Sequence, residues 1–148
     1  MKKFKYSVAA MLLTFSALGL ITSHSQAQSM SDAVYRGLGE KTGISKIVAD
    51  FLAVVTNDQR ISAAFAETDM ERLALMLTEQ FCELSGGPCK YSGKDMTSAH
   101  QSMKINNAQF NALAEDLQIA MEKHQIASSV QNKLIAKLAP MQRHIVTR

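Results

Sequence analysis

The run Gly86-Gly87-Pro88-Cys89-Lys90-Tyr91-Ser92-Gly93-Lys94-Asp95-Met96, continued by Thr97-Ser98-Ala99-His100 and followed shortly by Ile105, decides how the chain is read. Two glycines and a proline stop a preceding helix, a glycine-bearing loop follows, and a single histidine then faces an apolar neighbourhood that includes Met96, Met103 and Ile105. That is the arrangement a five-coordinate haem iron requires on its proximal side. It is also the arrangement of an ordinary core histidine whose ring is satisfied by its neighbours, and spacing alone leaves both readings open.

Outward from this run, the chain reads as helices. Ile44, Ile47, Val48, Phe51, Leu52 and Val55 recur at helical spacing, which predicts an amphipathic helix from about 44 to 57. Thr68 or Asp69 can cap the next long helix, which carries Leu73, Leu77, Phe81 and Leu84 on one stripe and ends at the glycines. Asn106 with Gln109 forms an approximate capping box for a third helix with Phe110, Leu113, Leu117 and Met121 inward. Ser128 with Gln131 repeats the device for a fourth, on which Val130, Leu134, Ile135, Leu138 and Ile145 face inward and which Pro140 should kink or end. Strand signals, repeats and low-complexity segments are absent, so the fold class is all-α.

Residues 1–27 have the layout of a secretory signal peptide, with Lys2, Lys3 and Lys5, an apolar run from about Val8 to Ile21, and Ser25-Gln26-Ala27 as a small-x-small cleavage site. The run is short for a membrane span, an uncleaved anchor being the alternative, and no cysteine near the site suggests a lipoprotein. Cleavage would leave residues 28–148 as one domain, periplasmic or secreted, without stable membrane association. All three signal lysines would leave with the peptide, so 13 basic residues would face 13 acidic ones and the formal charge of +3 would vanish. A nucleic-acid partner is therefore not indicated.

Export permits a disulfide between Cys82 and Cys89, which the glycine reversal can bring within range; buried free thiols are the alternative. Covalent c-type haem attachment lacks its Cys-x-x-Cys-His motif, and two cysteines alone make a weak zinc site. No nucleophilic triad, phosphate-cradling glycine loop or poised carboxylate pair is visible. Glu115 and Asp116 are expected on a solvated face, and His124 and His144 at surface positions near helix ends.

Gly86-Gly87-Pro88, Tyr91-x-Gly93, Asp95-Met96 and Ala99-His100, with the opening Tyr35-Arg36-Gly37-Leu38-Gly39, Asp50-Phe51, Phe65 and the late Ala139-Pro140-Met141, resemble the signature of the group 1 truncated haemoglobins. The resemblance runs from Tyr35 to about Val146. It implies a two-over-two sandwich of helices around haem b, with His100 as the proximal iron ligand and a diatomic gas (oxygen, CO or NO) as partner. It further implies Phe51 and Phe65 against the porphyrin, Phe81 at the back of the distal side, and Met96, Ile105 and Phe110 on the proximal side. Tyr91, with Lys94 or Arg72, is placed near the propionates.

Several positions depart from the family pattern. Where its members usually carry a distal tyrosine this chain has Leu52, and the two ligand-facing positions on the long helix match Leu73 and Leu77, so none of the three donates a hydrogen bond. A charge-assisted bond to bound dioxygen contributes on the order of 1.5–3 kcal/mol, and its loss would weaken retention roughly 10- to 100-fold. Gln80, one turn further along, is the nearest alternative donor, although its expected place is on the surface. Met76 matches the position from which some members offer a histidine to iron; a thioether can ligate in its place or simply fill core space. Ser102 and Lys104 stand where the family usually has glycines.

The resemblance implies a haem protein that binds a diatomic gas reversibly, served by an unidentified electron donor, and the layout of residues 1–27 makes it an exported one. The alternatives are a haem enzyme for nitric oxide or peroxide detoxification, for which the apolar distal side offers no acid–base group, and a haem-free helical binding module.

Overall fold

A computed structural model describes residues 32–148, so the signal-peptide assignment to 1–27 lies outside the described residues. The helices are α1 (Ala33–Gly37), α2 (Glu40–Asn57), α3 (Met70–Leu84), α4 (Met96–His100), α5 (Asn107–Lys123), α6 (Ser128–Leu138) and α7 (Gln142–Ile145), with 3-10 turns at Ser62–Phe65 and Ala139–Met141. There is no strand among the described residues; a single parallel bridge joins Ile105 to Val146.

All six residues of the apolar stripe on α2 are buried. Removing such side chains from water contributes roughly 1.5–3 kcal/mol each. The helix begins at Glu40, four residues earlier than the apolar spacing indicates, because Gly39 adopts φ +80° and turns the chain directly out of α1. The corner leaves no room at Gly43, where a Cβ would lie 2.2 Å from the Leu38 carbonyl oxygen.

Local chemistry sets most of the other helix ends. Asp69 caps α3 by accepting from the Arg72 N–H at 3.0 Å, and Asn106 and Gln109 form a reciprocal capping box on α5. Gly86, at φ +89°, ends α3 in a Schellman turn: the Gly87 N–H donates to the Cys82 carbonyl and the Gly86 N–H to that of Glu83. Pro140 ends α6 at Leu138 and directs the chain through a 3-10 turn into α7, as its missing N–H requires. The expected Ser128–Gln131 capping box does not form. Ala127 occupies the N-cap, and the Gln131 amide donates instead to the Ile126 carbonyl at 2.8 Å, closing the turn before the helix.

α2 packs against α3 on one side and α5 on the other, while α6 contacts both α3 and α5, which makes two helix pairs stacked as two layers. The short α4, bearing His100, rests against α7. The segment after His100 is fixed by the Ile105–Val146 bridge and by the Thr147 N–H donating to the Ile105 carbonyl at 2.9 Å.

Lys104 holds φ +53°, a left-handed conformation that its Cβ disfavours. Glycine fits there without that cost but loses more backbone freedom on folding. Lys104→Gly should therefore raise stability by about 0.5–1 kcal/mol. Thermal unfolding checks this, and an unchanged or lower midpoint would show that Lys104 carries no backbone strain.

Candidate functional site

His100 closes α4, a five-residue helix started by Asp95, whose carboxylate accepts from the Ser98 N–H at 2.9 Å and from the Ser98 hydroxyl at 2.6 Å. One turn brings the half-buried His100 ring back onto its own helix, where Nδ1 lies 2.8 Å from the Met96 carbonyl oxygen. A carbonyl only accepts, so Nδ1 carries the proton, and the tautomer this contact selects is the one whose lone pair lies on Nε2. Among the described residues Nε2 has no hydrogen-bond partner, and no group of three or more His, Cys, Asp or Glu side chains could hold a metal ion. The bond at Nδ1 is of the kind that orients a metal-ligating imidazole.

Six residues that the resemblance places around haem fall in one apolar cluster. Phe51, Leu52 and Phe81 are buried in the core cluster, and the half-buried Phe65, Leu73 and Leu77 pack against it. The Phe51 and Phe81 rings lie 6.5 Å apart between centroids. Of the residues the resemblance assigns to the proximal side, Ile105 is buried while Met96 and Phe110 are half-buried. Met76 is half-buried and faces the loop after α3, with its Sδ 3.9 Å from the Ser92 hydroxyl, which donates to it.

Gln80 corrects the expectation of a surface glutamine. It is only 7% exposed, and its amide lies 3.7 Å from Met96 Sδ and 3.9 Å from Met141 Sδ. The cover comes from α4 and from the turn after Pro140, partners too distant in sequence for local patterning to anticipate.

A second set of contacts, centred on residues that sequence reasoning passed over, ties the loop 89–95 to α3. Cys82 and Cys89 form a disulfide with Cα atoms 5.7 Å apart. Glu83 accepts from the Tyr91 N–H at 2.9 Å and pairs with Lys90 at 3.2 Å. Glu79, one turn earlier, accepts from both the N–H (3.0 Å) and the hydroxyl (2.7 Å) of Ser92. These bonds hold both glutamate carboxyls below their ordinary pKa, and the Ser98 bonds do the same for Asp95. Tyr91 donates its hydroxyl to the Lys94 carbonyl at 2.8 Å, and burial raises its pKa. A Cβ on Gly93 would lie 2.3 Å from that hydroxyl, which is why the loop needs glycine there. Lys94 and Arg72 are exposed. The available signal was the spacing of Glu79 and Glu83, which puts two acids on one side of the helix immediately before the loop.

The far side of α2 and α5 carries a different polar group. Asp50 pairs with Lys123 at 2.6 Å and with the half-buried His124 at 2.7 Å. Arg60 joins Asp58 at 2.7 Å to Glu115 at 2.5 Å. Asp116, expected in solvent, is 1% exposed beneath this group because the 58–60 corner folds over it; burial, then the Asp58 charge, raises its pKa. The open cleft here, about 530 Å³, is lined by Asp50, Val54, Arg60, Asp116, Ile119 and Lys123 among others, and by none of the residues assigned above to haem.

The sequence profile of the bacterial-like globins matches residues 33–147. Group 1 truncated hemoglobin of Tetrahymena pyriformis is 32% identical over 100 residues, covering 68% of this chain and 83% of that protein. Group 1 truncated hemoglobin GlbN of Synechocystis is 31% identical over 110 residues, covering 72% and 86%. The crystal structure of the Tetrahymena pyriformis protein in its Fe(III) form superposes with a TM-score of 0.75 at 28% identity, over 78% of this chain and 98% of that one. Sequence match and helical arrangement agree along almost the whole described chain, which belongs to the bacterial-like globins and, within them, to the group 1 truncated haemoglobins, a family of haem-based gas binders.

Proposed function

We propose that the chain holds haem b through His100 alone and binds a diatomic gas reversibly in a distal chamber walled by Leu52, Leu73 and Leu77. The observation that carries the reading is the His100 Nδ1–H bond to the Met96 carbonyl, which aims a free Nε2 outward. When bound, haem b supplies an iron that takes the imidazole on one face and a gas on the other. The protein's part is to orient the imidazole, to exclude water with Phe51, Phe65 and Phe81, and to line the proximal side with Met96, Ile105 and Phe110. Met76, on α3 beside Ser92, and Tyr91, on the loop and bonded to Lys94, complete the proposed site. With leucine at all three distal positions, bound dioxygen receives no side-chain donor from them, whereas the less polar carbon monoxide needs none. The same apolar lining disfavours peroxide detoxification, whose O–O cleavage calls for proton delivery.

Cleavage after Ala27 and a periplasmic or secreted location are part of the proposal, supported by the charged, apolar and small-residue order of residues 1–27. An electron donor in that compartment would keep the iron ferrous.

His100→Ala should abolish normal haem retention, with partial recovery on adding imidazole. The ferric, ferrous and carbonmonoxy absorption spectra check this, and a variant with full haem content and an unchanged ferrous spectrum would sink the assignment.

Leu52→Tyr should slow dioxygen release by about 10- to 100-fold through the restored donor. Leu52→Phe serves as the size control, since a larger side chain alone can disturb packing. Flash photolysis or stopped-flow release rates decide the matter: equal rates in the two variants would exclude the apolar-chamber account.

A further inference from the structure

The strongest unassigned feature is the continuous set of links from the distal helix to the proximal histidine. Cys82, Glu83 and Glu79 all lie on the last turns of α3. Through the disulfide, through Tyr91 and Lys90, and through Ser92 they hold the loop at Cys89, at 90–91 and at 92. Tyr91 then fixes the Lys94 carbonyl, Asp95 starts α4, and Met96 orients the ring of His100. Between Cys89 and His100 every joint in this path is a hydrogen bond. Only the first is covalent, and it is the one that a change in redox conditions can open.

We infer that Cys82–Cys89, acting with the positioning residues Glu79 and Glu83, is a redox-operated clamp on His100: reduction frees the loop and weakens the hold of the histidine on haem. The inference rests on the reading of His100 as the haem ligand.

The chemistry is a two-electron exchange with a dithiol reductant. One thiolate of the reductant attacks Cys89 Sγ, the half-buried sulfur, because Cys82 is fully covered. The disulfide electron pair leaves on Cys82 Sγ, which takes a proton. The second thiolate of the reductant then attacks the mixed disulfide, releasing Cys89 as a thiol and leaving the reductant as its own disulfide. Once open, the ring no longer holds Cys89 against α3, and the two glutamates retain the loop through bonds that are exposed to water, save the part-buried one from the Tyr91 N–H to Glu83.

The test uses the full mature chain, oxidised or treated with dithiothreitol and then alkylated, with intact mass reporting the state of the cysteines. Three readouts apply: amide hydrogen exchange over residues 90–103 in haem-free protein, the rate of haem transfer to an excess of an apoglobin acceptor, and the iron–histidine stretching band of the ferrous protein. Reduction should speed exchange across 90–103, accelerate haem loss by about 10-fold and shift or broaden the stretching band. Glu79→Gln with Glu83→Gln, disulfide intact, should move the same band in the same direction, and Glu83→Asp should restore part of the change.

A disulfide that dithiothreitol cannot open in the folded protein overturns the clamp. So do unchanged exchange, haem loss and stretching band after its verified opening. Failure of the His100 reading has a different signature: wild-type protein that takes up no haem, or a His100→Ala variant that keeps it, while the exchange arm still decides whether the disulfide governs the loop.

Discussion

Burial of one helix stripe organises the molecule. Because the six apolar residues of α2 touch α3 on one side and α5 on the other, that helix holds both layers in register. Its Phe51 and Leu52 are at once the centre of the core and the floor of the chamber that His100 faces in the proposed function. On that proposal packing and binding draw on the same side chains, and any substitution at Phe51 or Leu52 touches the stability of the whole domain.

The polar side chains divide into two groups with separate roles. Glu79, Glu83 and Asp95 serve the loop and helix that carry His100, each accepting from backbone N–H groups. Asp50, Asp58, Arg60, Asp116 and Lys123 tie α2 to α5 on another face. Charge is thus spent on holding backbone segments, and the apolar cluster of Phe51, Leu52, Phe65, Leu73, Leu77 and Phe81 is left to carbon.

Legibility in the sequence followed the range of the interaction. The α2 stripe, the caps at Asp69 and Asn106, and the break at Pro140 are set by residues a few positions apart, and all three stand in the structure as periodicity and capping rules indicate. Gln80 and Asp116 were misplaced because what buries them, Met141 in one case and the 58–60 corner in the other, lies 61 or some 56 positions away along the chain. Gln131 shows the local version of the same limit. Its amide had two nearby backbone targets, and the pattern could not say that the Ile126 carbonyl would win. His100 was visible as a position, while the fact that makes it usable, the proton fixed on Nδ1, needs the 2.8 Å approach of the Met96 carbonyl.

The bridge between Ile105 and Val146 makes the end of the chain a strut for the segment that leaves His100. Proteolytic trimming at Val146, or a bulky fusion placed on Arg148, would loosen the segment after His100 from a distance while leaving the two helix layers whole. Damage of that kind would be invisible to far-ultraviolet circular dichroism, and the only symptom would be a cofactor pocket that leaks.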